Sequence, residues 1–239
     1  MSERIILITG ANGDIGRAIA RAFLDEREEN AIHLGVRENS ALAKDLAAKY
    51  PKRCQTIKLD VTQFADWKAA IEKLGRLDVL VNNAGFHDDS LLGQMTDEQW
   101  RCVMDVNLNG VFMGCREAVR LMLAQRSGRI VNISSLSALL APMGQTNYAA
   151  AKAAVVAFSQ ALAKEVARAG VTVNAVCPGY IDSEALEFPD KQARREAQMR
   201  IPMRRFGKPE EVAAAVRFLA CEEASYLTGS VLKIDGGIL

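Results

Sequence analysis

Short runs of consecutive apolar residues alternate along the chain with segments whose apolar positions recur every three or four residues. The runs at Ile5–Thr9, Ala31–Val36, Thr56–Leu59, Val79–Asn82, Arg129–Ser134, Thr172–Val176 and Val231–Ile234 read as strands. The segments 16–29, 40–49, 64–74, 98–124, 147–168 and 209–221 carry the helical period. Strict β–α alternation requires right-handed crossovers, so the pattern predicts an α/β protein: a parallel, doubly wound sheet with helices on both faces. No Pro/Gly/Ser linker and no repeat interrupts it, and the expectation is a single domain over 1–239. The stretch at about 180–206 follows the sixth strand without a period and is too short for a second domain. It reads as a loop that covers a substrate.

Composition narrows the class. The chain has 239 residues, 49% apolar and 25% charged, with a net charge of +1. These are ordinary values for a soluble globular protein, and give no reason to expect nucleic acid or an anionic membrane as partner. Five cysteines (54, 102, 115, 177 and 221) form no CxxC pair and only two histidines are present. That argues against a disulfide framework or a metal site and for reduced thiols in a cytoplasmic setting. Glu3 and Arg4 lead straight into the first strand, which is not a signal-peptide layout. The uncharged stretch 130–151 is long enough to span a bilayer, but it contains Asn132, three serines, Pro142, Gly144, Gln145 and Asn147. It is therefore a strand and loop.

In open α/β sheets a ligand sits beyond the carboxyl ends of the strands, and the polar clusters of this chain lie there. The first strand runs into TGANGDIG (9–16) and then into a helix. Thr9 and Gly10 end the strand, Asn12 and Gly13 form the turn, and Gly13 allows close approach of a ligand. Ile15 opens the helix, and Gly16 lets it pack on the sheet. Backbone N–H groups at the helix start would face a pyrophosphate. The second strand ends LGVR, with no acid for a ribose 2′-hydroxyl but with Arg37 available for a 2′-phosphate. This favours NADP(H), with NAD(H) as the alternative. Asp60 and Val61 follow the third strand; Asp60 is a candidate for an adenine amino group, or else for a helix N-cap. Asn83, Ala84 and Gly85 close the fourth strand with small residues against which a ribose and nicotinamide can lie.

The chemistry-bearing residues come later. Tyr148 and Lys152 stand four apart in NYAAAK and share one helix face. An ammonium there is expected to lower the tyrosine pKa toward working pH, as acid–base catalysis requires. Ser135 ends the strand RIVNISS, so its hydroxyl can hold a carbonyl oxygen while Tyr148 supplies the proton. Asn107 in DVNLNG interrupts a helical segment and can anchor a water beside Lys152, or else cap or bend the helix.

The order TG…G, NNAG, Asn107, Ser135, Tyr148-xxx-Lys152 and PGYIDS (178–183) resembles the short-chain dehydrogenase/reductase family from Ile5 to Leu239. The resemblance implies a seven-stranded Rossmann fold and hydride transfer between NAD(P)H and a carbonyl. It makes Tyr148 the general acid and Ser135 the carbonyl anchor. Lys152 would hold the nicotinamide ribose, and Asn107 a proton-relay water. Pro178 and Gly179 would line the nicotinamide site, and Ile181 and Ser183 would touch the carboxamide. The stretches NNAGFHDDSLLGQMTDEQW, GRIVNISS, GQTNYAAAKA, GVTVNAVCPGYI and YLTGSVLKIDGG are most similar to 3-oxoacyl-(acyl-carrier-protein) reductases. The expected substrate is thus a β-ketoacyl thioester on carrier protein or CoA. Docking of an acyl carrier protein is expected through Arg126, Arg129 and Arg168, within a homotetramer. Two other readings remain: oxidation of a sugar, polyol or steroid alcohol by the same residues, and a nucleotide sensor without catalysis.

Two positions depart from the family. Gly13 stands where NADP-dependent members often carry a basic residue, and Asp14 stands where they carry glycine. A carboxylate ~6 Å from a phosphate charge would be repelled by roughly 3 kcal/mol at an effective dielectric of about 20. We therefore expect Asp14 to point away from the pyrophosphate and to cap the helix.

Overall fold

The computed structural model describes residues 3–37, 41–184, 186 and 188–239. The expected Ser40 start of the second helical segment, and Ala185 and Glu187 of the 180–206 stretch, lie outside the described residues. Seven strands form one parallel sheet: β1 (Arg4–Thr9), β2 (Asn30–Val36), β3 (Cys54–Lys58), β4 (Val79–Asn82), β5 (Gly128–Ile133), β6 (Val171–Pro178) and β7 (Val231–Ile234). Their order is β3-β2-β1-β4-β5-β6-β7. The five inner strands are buried almost throughout, whereas β3 and β7 at the edges are partly exposed. That burial makes the inner strands near-continuous apolar runs in the sequence.

Side chains alternate across the sheet and feed two cores. Ile6, Ile8, Val79, Val81, Val131 and Ile133 face helices α1 (Asp14–Glu26) and α9 (Pro209–Ala220), where Phe23, Ile19, Val212 and Val216 meet them. Leu7, Leu80 and Ile130 face the other way. They pack on Trp67 of α3 (Phe64–Leu74), Met122 of α5 (Gly110–Gln125) and Val155 of α7 (Thr146–Val166). Helix α2 (Ala41–Lys49) contributes Ala43 and Leu46 to the first core.

Two expectations are corrected. The segment 98–124 is not one helix: α4 (Asp97–Met104) and α5 are separated by a π turn at Asp105–Asn109. Asn107 Nδ2 donates to Val103 O at 2.9 Å, the carbonyl that its own backbone N–H would take in an α-helix. The side chain displaces the ladder and widens the turn. The 180–206 stretch is also not wholly irregular, since it contains α8 (Lys191–Arg200), capped where Asp190 Oδ1 accepts the Ala193 N–H at 2.8 Å. A short helix, α6 (Ser137–Leu140), follows β5.

Close packing of α5 on α3 depends on Gly114, where a Cβ would lie 2.5 Å from Trp67 Cη2 and 2.7 Å from Cζ2. Glycine to alanine in a helix ordinarily gains about 1 kcal/mol, but overpacking costs about 1–3 kcal/mol. We expect Gly114→Ala to lower the urea unfolding midpoint; a raised midpoint would show that the indole moves aside at no cost.

Candidate active site

The order of the sheet reverses between β1 and β4, and the helices that leave these strands diverge to opposite faces, opening a crevice at the carboxyl edge. Thr9 and Asn83 fasten its floor. Thr9 Oγ1 accepts the Asn83 and Ala84 N–H groups, each at 3.0 Å, and Asn83 Nδ2 donates to Thr9 O and Gly10 O at 3.0 and 3.1 Å. Gly10 has φ +63° and abuts Ala84, whose Cα would be 2.7 Å from an added Cβ. At Gly16 a Cβ would come within 2.6 Å of Gly10 O, so the third glycine is dictated by the turn itself. At Gly13 an added Cβ would have only one neighbour, Gly10 O at 3.7 Å, which leaves that position open to a ligand.

A cleft of about 390 Å³ runs over this floor. It gathers the expected Ile15, Asn83, Gly85, Ser135, Tyr148, Lys152, Pro178, Gly179, Ile181 and Ser183 on its walls. Ser135 stands just past β5 on the cleft it shares with Tyr148, and its Oγ accepts the Ser137 N–H at 3.1 Å. Lys152 is buried one turn further along α7 and donates from Nζ to Ile133 O at 2.9 Å. Gly85 brings the third group in: a Cβ there would sit 2.7 Å from Asn107 Oδ1 and 3.2 Å from Lys152 Nζ. The π turn holds Asn107 with Nδ2 on Phe86 O and Val103 O, and its buried Oδ1 has no partner among the described residues.

The electrostatics differ from expectation at Tyr148. Burial pushes its pKa up, the Ser135 hydrogen bond offsets part of the rise, and the charge of Asp89 adds to it. Lys152 does not depress it here, because its ammonium is committed to Ile133 O and lies 5.7 Å from the phenol ring centroid. Burial in turn pulls Lys152 down to about 8.

Other expected residues are placed away from the cleft wall. Thr9 is buried and acts as the latch described above. Val61 has its side chain in the core and its carbonyl on the Trp67 indole N–H at 3.0 Å. Asp60 is not a helix cap, since Gln63 holds that position for α3. Its Oδ1 instead accepts the Thr62 N–H and hydroxyl at 3.0 and 2.7 Å. Arg37 is exposed just past β2 and makes no ion pair among the described residues. Asn12 sits in the turn before α1. Asp14 does not cap α1: Gly13 is the cap residue and no side-chain cap bond forms. The Asp14 carboxylate pairs with Arg17 and accepts the Glu184 N–H at 2.8 Å. Arg126, Arg129 and Arg168 gather at one corner, with Arg126 donating to Arg168 O and Arg129 to Gly170 O. That corner is at the opposite end of β5 from Ser135, about 20 Å along six residues of strand.

The sequence reading missed His87, Gln145 and Asn147. Asn147 ties the Tyr148 helix to the loop after β4 through Asp88 O at 3.0 Å, and Gln145 does so through Asp89 Oδ2 at 2.8 Å. His87 pairs with Asp89 at 3.1 Å, and its ring meets that of Tyr148 edge-on at 5.9 Å. Their only signal was position, immediately before Tyr148 or after Gly85.

A seven-stranded doubly wound sheet with a serine, a tyrosine and a lysine over its carboxyl edge defines a class. The chain belongs to the short-chain dehydrogenase/reductase family: the family model described as enoyl-(acyl carrier protein) reductase matches residues 10–239. Among curated proteins, the 3-oxoacyl-(acyl-carrier-protein) reductase FabG of Thermotoga maritima is 44% identical over 244 residues, covering 100% of this chain and 99% of that protein. The enzymes of the same name from Chlamydia muridarum and Escherichia coli are 40% and 39% identical, covering 99% and 98% of this chain and 97% of each relative.

The lowered Lys152 pKa has a measurable consequence. Between about 8 and the ordinary 10.5 the unfolded chain binds the extra proton, so this group's penalty is full below pH 8 and gone above pH 10.5. At about 1.4 kcal/mol per unit the penalty is at most about 3 kcal/mol. Lys152→Met should therefore be more stable than the parent at pH 7 in urea titration, with the gap closing by pH 10.5. A gap independent of pH would refute it.

Proposed function

We propose that this chain is an NADPH-dependent ketoreductase that converts a β-ketoacyl thioester, on an acyl carrier protein or CoA, to the 3-hydroxyacyl product. The observation that carries this reading is that Ser135, Tyr148 and the buried Lys152, one turn further along α7, line one cleft. The chain's own residues suit a dinucleotide. The N-terminus of α1 presents its first backbone N–H groups past an open Gly13, and Gly85 leaves room beside Lys152 and Asn107 Oδ1, which has no partner among the described residues. Arg37 is exposed and makes no ion pair among the described residues, which suits a 2′-phosphate. When bound, the nicotinamide supplies a hydride.

Ser135 and Tyr148 hold the keto oxygen between two hydroxyls. As the carbonyl carbon receives the hydride, Tyr148 gives its hydroxyl proton to that oxygen and is left as phenolate. Lys152, held at about 8, can return a proton to the phenolate near neutral pH. Asn107 Oδ1, near Nζ, can accept a hydrogen bond from a water, and that water replaces the lysine's proton from solvent. The upward shift of Tyr148 keeps the hydroxyl protonated at rest, which suits the reducing direction more than oxidation of a sugar, polyol or steroid alcohol. Leu140, Met143 and Leu186 give the mouth of the cleft an apolar rim suited to an acyl chain.

Arg126, Arg129 and Arg168 form a single basic corner that an acidic carrier can recognise. Exposed Trp100, Phe112 and Leu123 on α4 and α5 are apolar surface of the kind a homotetramer covers. No helix among the described residues is long and apolar enough to cross a membrane, in keeping with a cytoplasmic enzyme.

Tyr148→Phe should lower kcat for acetoacetyl-CoA by at least about a hundredfold while NADPH still binds; substantial residual turnover in a steady-state assay would sink the mechanism. A wild-type panel confined to sugars or steroids would overturn the substrate class. Arg37→Ala should raise KM for NADPH about tenfold or more with little change for NADH, given the strength of a charge-assisted hydrogen bond. Equal effects on both would refute its 2′-phosphate role.

A further inference from the structure

Asp14 occupies a phosphate turn where a negative charge is unwelcome, and it does not cap its helix. Its two oxygens are used separately. Oδ1 is taken by Arg17, one turn along α1. Oδ2 accepts the N–H of Glu184, 170 residues away at the start of the 180–206 segment, at 2.8 Å. The Arg17 guanidinium is half-buried and its Nε has no partner among the described residues, so Asp14 is its counter-charge and the pair fixes the carboxylate's orientation. Oδ2 is thereby aimed across the cleft mouth.

The described residues of the segment it reaches are folded as one flap. Ile181 pairs with Gly207, Asp182 N donates to Gly207 O at 2.8 Å, and Gly207 N donates to Tyr180 O at 2.9 Å, so the two ends of the flap are tied together. Arg194 of α8 bonds Asp182 Oδ1 at 2.7 Å and stacks over Phe206 at 4.7 Å, folding the helix back onto those ends. Glu184 lies two residues beyond this hinge. Ser183 and Ile181, immediately before it, line the cleft opposite Ile15 of the glycine-rich turn.

We propose that Asp14 is a positioning residue: through Oδ2 it latches the flap at Glu184 to the nucleotide turn and so fixes Ile181 and Ser183 across the cleft from Ile15. A hydrogen bond to a charged acceptor is strong enough to change the opening of a surface segment by about tenfold when it is lost. The consequence for turnover rests on the functional reading above; the latch itself does not.

The test is limited trypsin digestion of the cofactor-free protein, following cleavage at the flap's basic residues between Lys191 and Arg205, with thermal melting as a control on global stability. Asp14→Ala should be cut in the flap about tenfold faster than wild type. Asp14→Asn has one oxygen for the two donors that the carboxylate serves, so it should be cut about threefold faster than wild type, between wild type and Asp14→Ala. Equal acceleration in both variants would assign the effect to the ion pair and overturn the latch, as would no acceleration in either. In the reductase assay, Asp14→Ala should lose kcat/KM for the thioester and Asp14→Asn should lose less of it. If wild type reduces no thioester, the functional reading fails, while the proteolysis pattern still decides the latch.

Discussion

A buried ammonium is the constraint around which the site is built. Removing a lysine's charge from water costs several kcal/mol, and the fold compensates Lys152 with the Ile133 carbonyl at the end of β5. That carbonyl is available because β5 ends there and the chain turns away to carry Ser135 to Tyr148. Asn107 is brought beside the same nitrogen only by the π turn, and both groups fit only because residue 85 has no Cβ. The strand end answers the electrostatic demand directly, while the helix bulge and the missing side chain set an acceptor and open space beside the ammonium. The incomplete compensation leaves Lys152 at about 8, within reach of proton exchange near neutral pH.

The sheet's topology supplies the rest. Where β1 and β4 meet, the helices depart to opposite faces and nothing covers the strand ends, so the floor needs its own fastening. Thr9 and Asn83 provide it with five hydrogen-bonding contacts between the two strand ends, counting the longer one from Thr9 Oγ1 to Val81 O. A second buried polar chain, from Asn82 to Asn132 to Ser159, ties β4 and β5 to α7 at 2.8 and 2.9 Å. It runs under the helix that carries Tyr148 and Lys152. Satisfied buried polar groups of this kind tolerate few alternative arrangements, which keeps the tyrosine hydroxyl in place relative to Ser135.

Sequence patterning located all seven strands to within two residues at each end, because strands covered on both faces leave uninterrupted apolar runs. It also brought Ser135, Tyr148 and Lys152 to one cleft, since strand ends and a four-residue helical spacing are local properties. The failures are equally physical. The apolar period continues through 98–124, so the π turn is invisible until Asn107 is seen to take Val103's carbonyl. Helix α8 buries no residue and therefore prints no period; only Asp190 before a run of helix formers marks its start. The Tyr148 pKa went the other way because helical spacing places Lys152 on the same face but says nothing about which acceptor its ammonium will choose. Arg126, Arg129 and Arg168 are neighbours as expected, yet sequence proximity to Ser135 hides the length of the strand between them.

Asp14 shows how a residue that looks unfavourable in isolation becomes acceptable through its partners. Facing a phosphate alone, its charge would cost roughly 3 kcal/mol at ~6 Å and an effective dielectric of about 20. Paired with Arg17 on the same helix, the two side chains carry no net charge, and a distant anion sees chiefly their dipole and the positive end of α1. The carboxylate is then free of its electrostatic conflict with the cofactor turn and retains one oxygen for a neutral donor. A glycine at this position would avoid the repulsion without needing Arg17, but it could not reach across the cleft to Glu184. The departure from the family's spacing therefore exchanges a bare anion-binding turn for one that is neutralised internally and joined to the opposite wall.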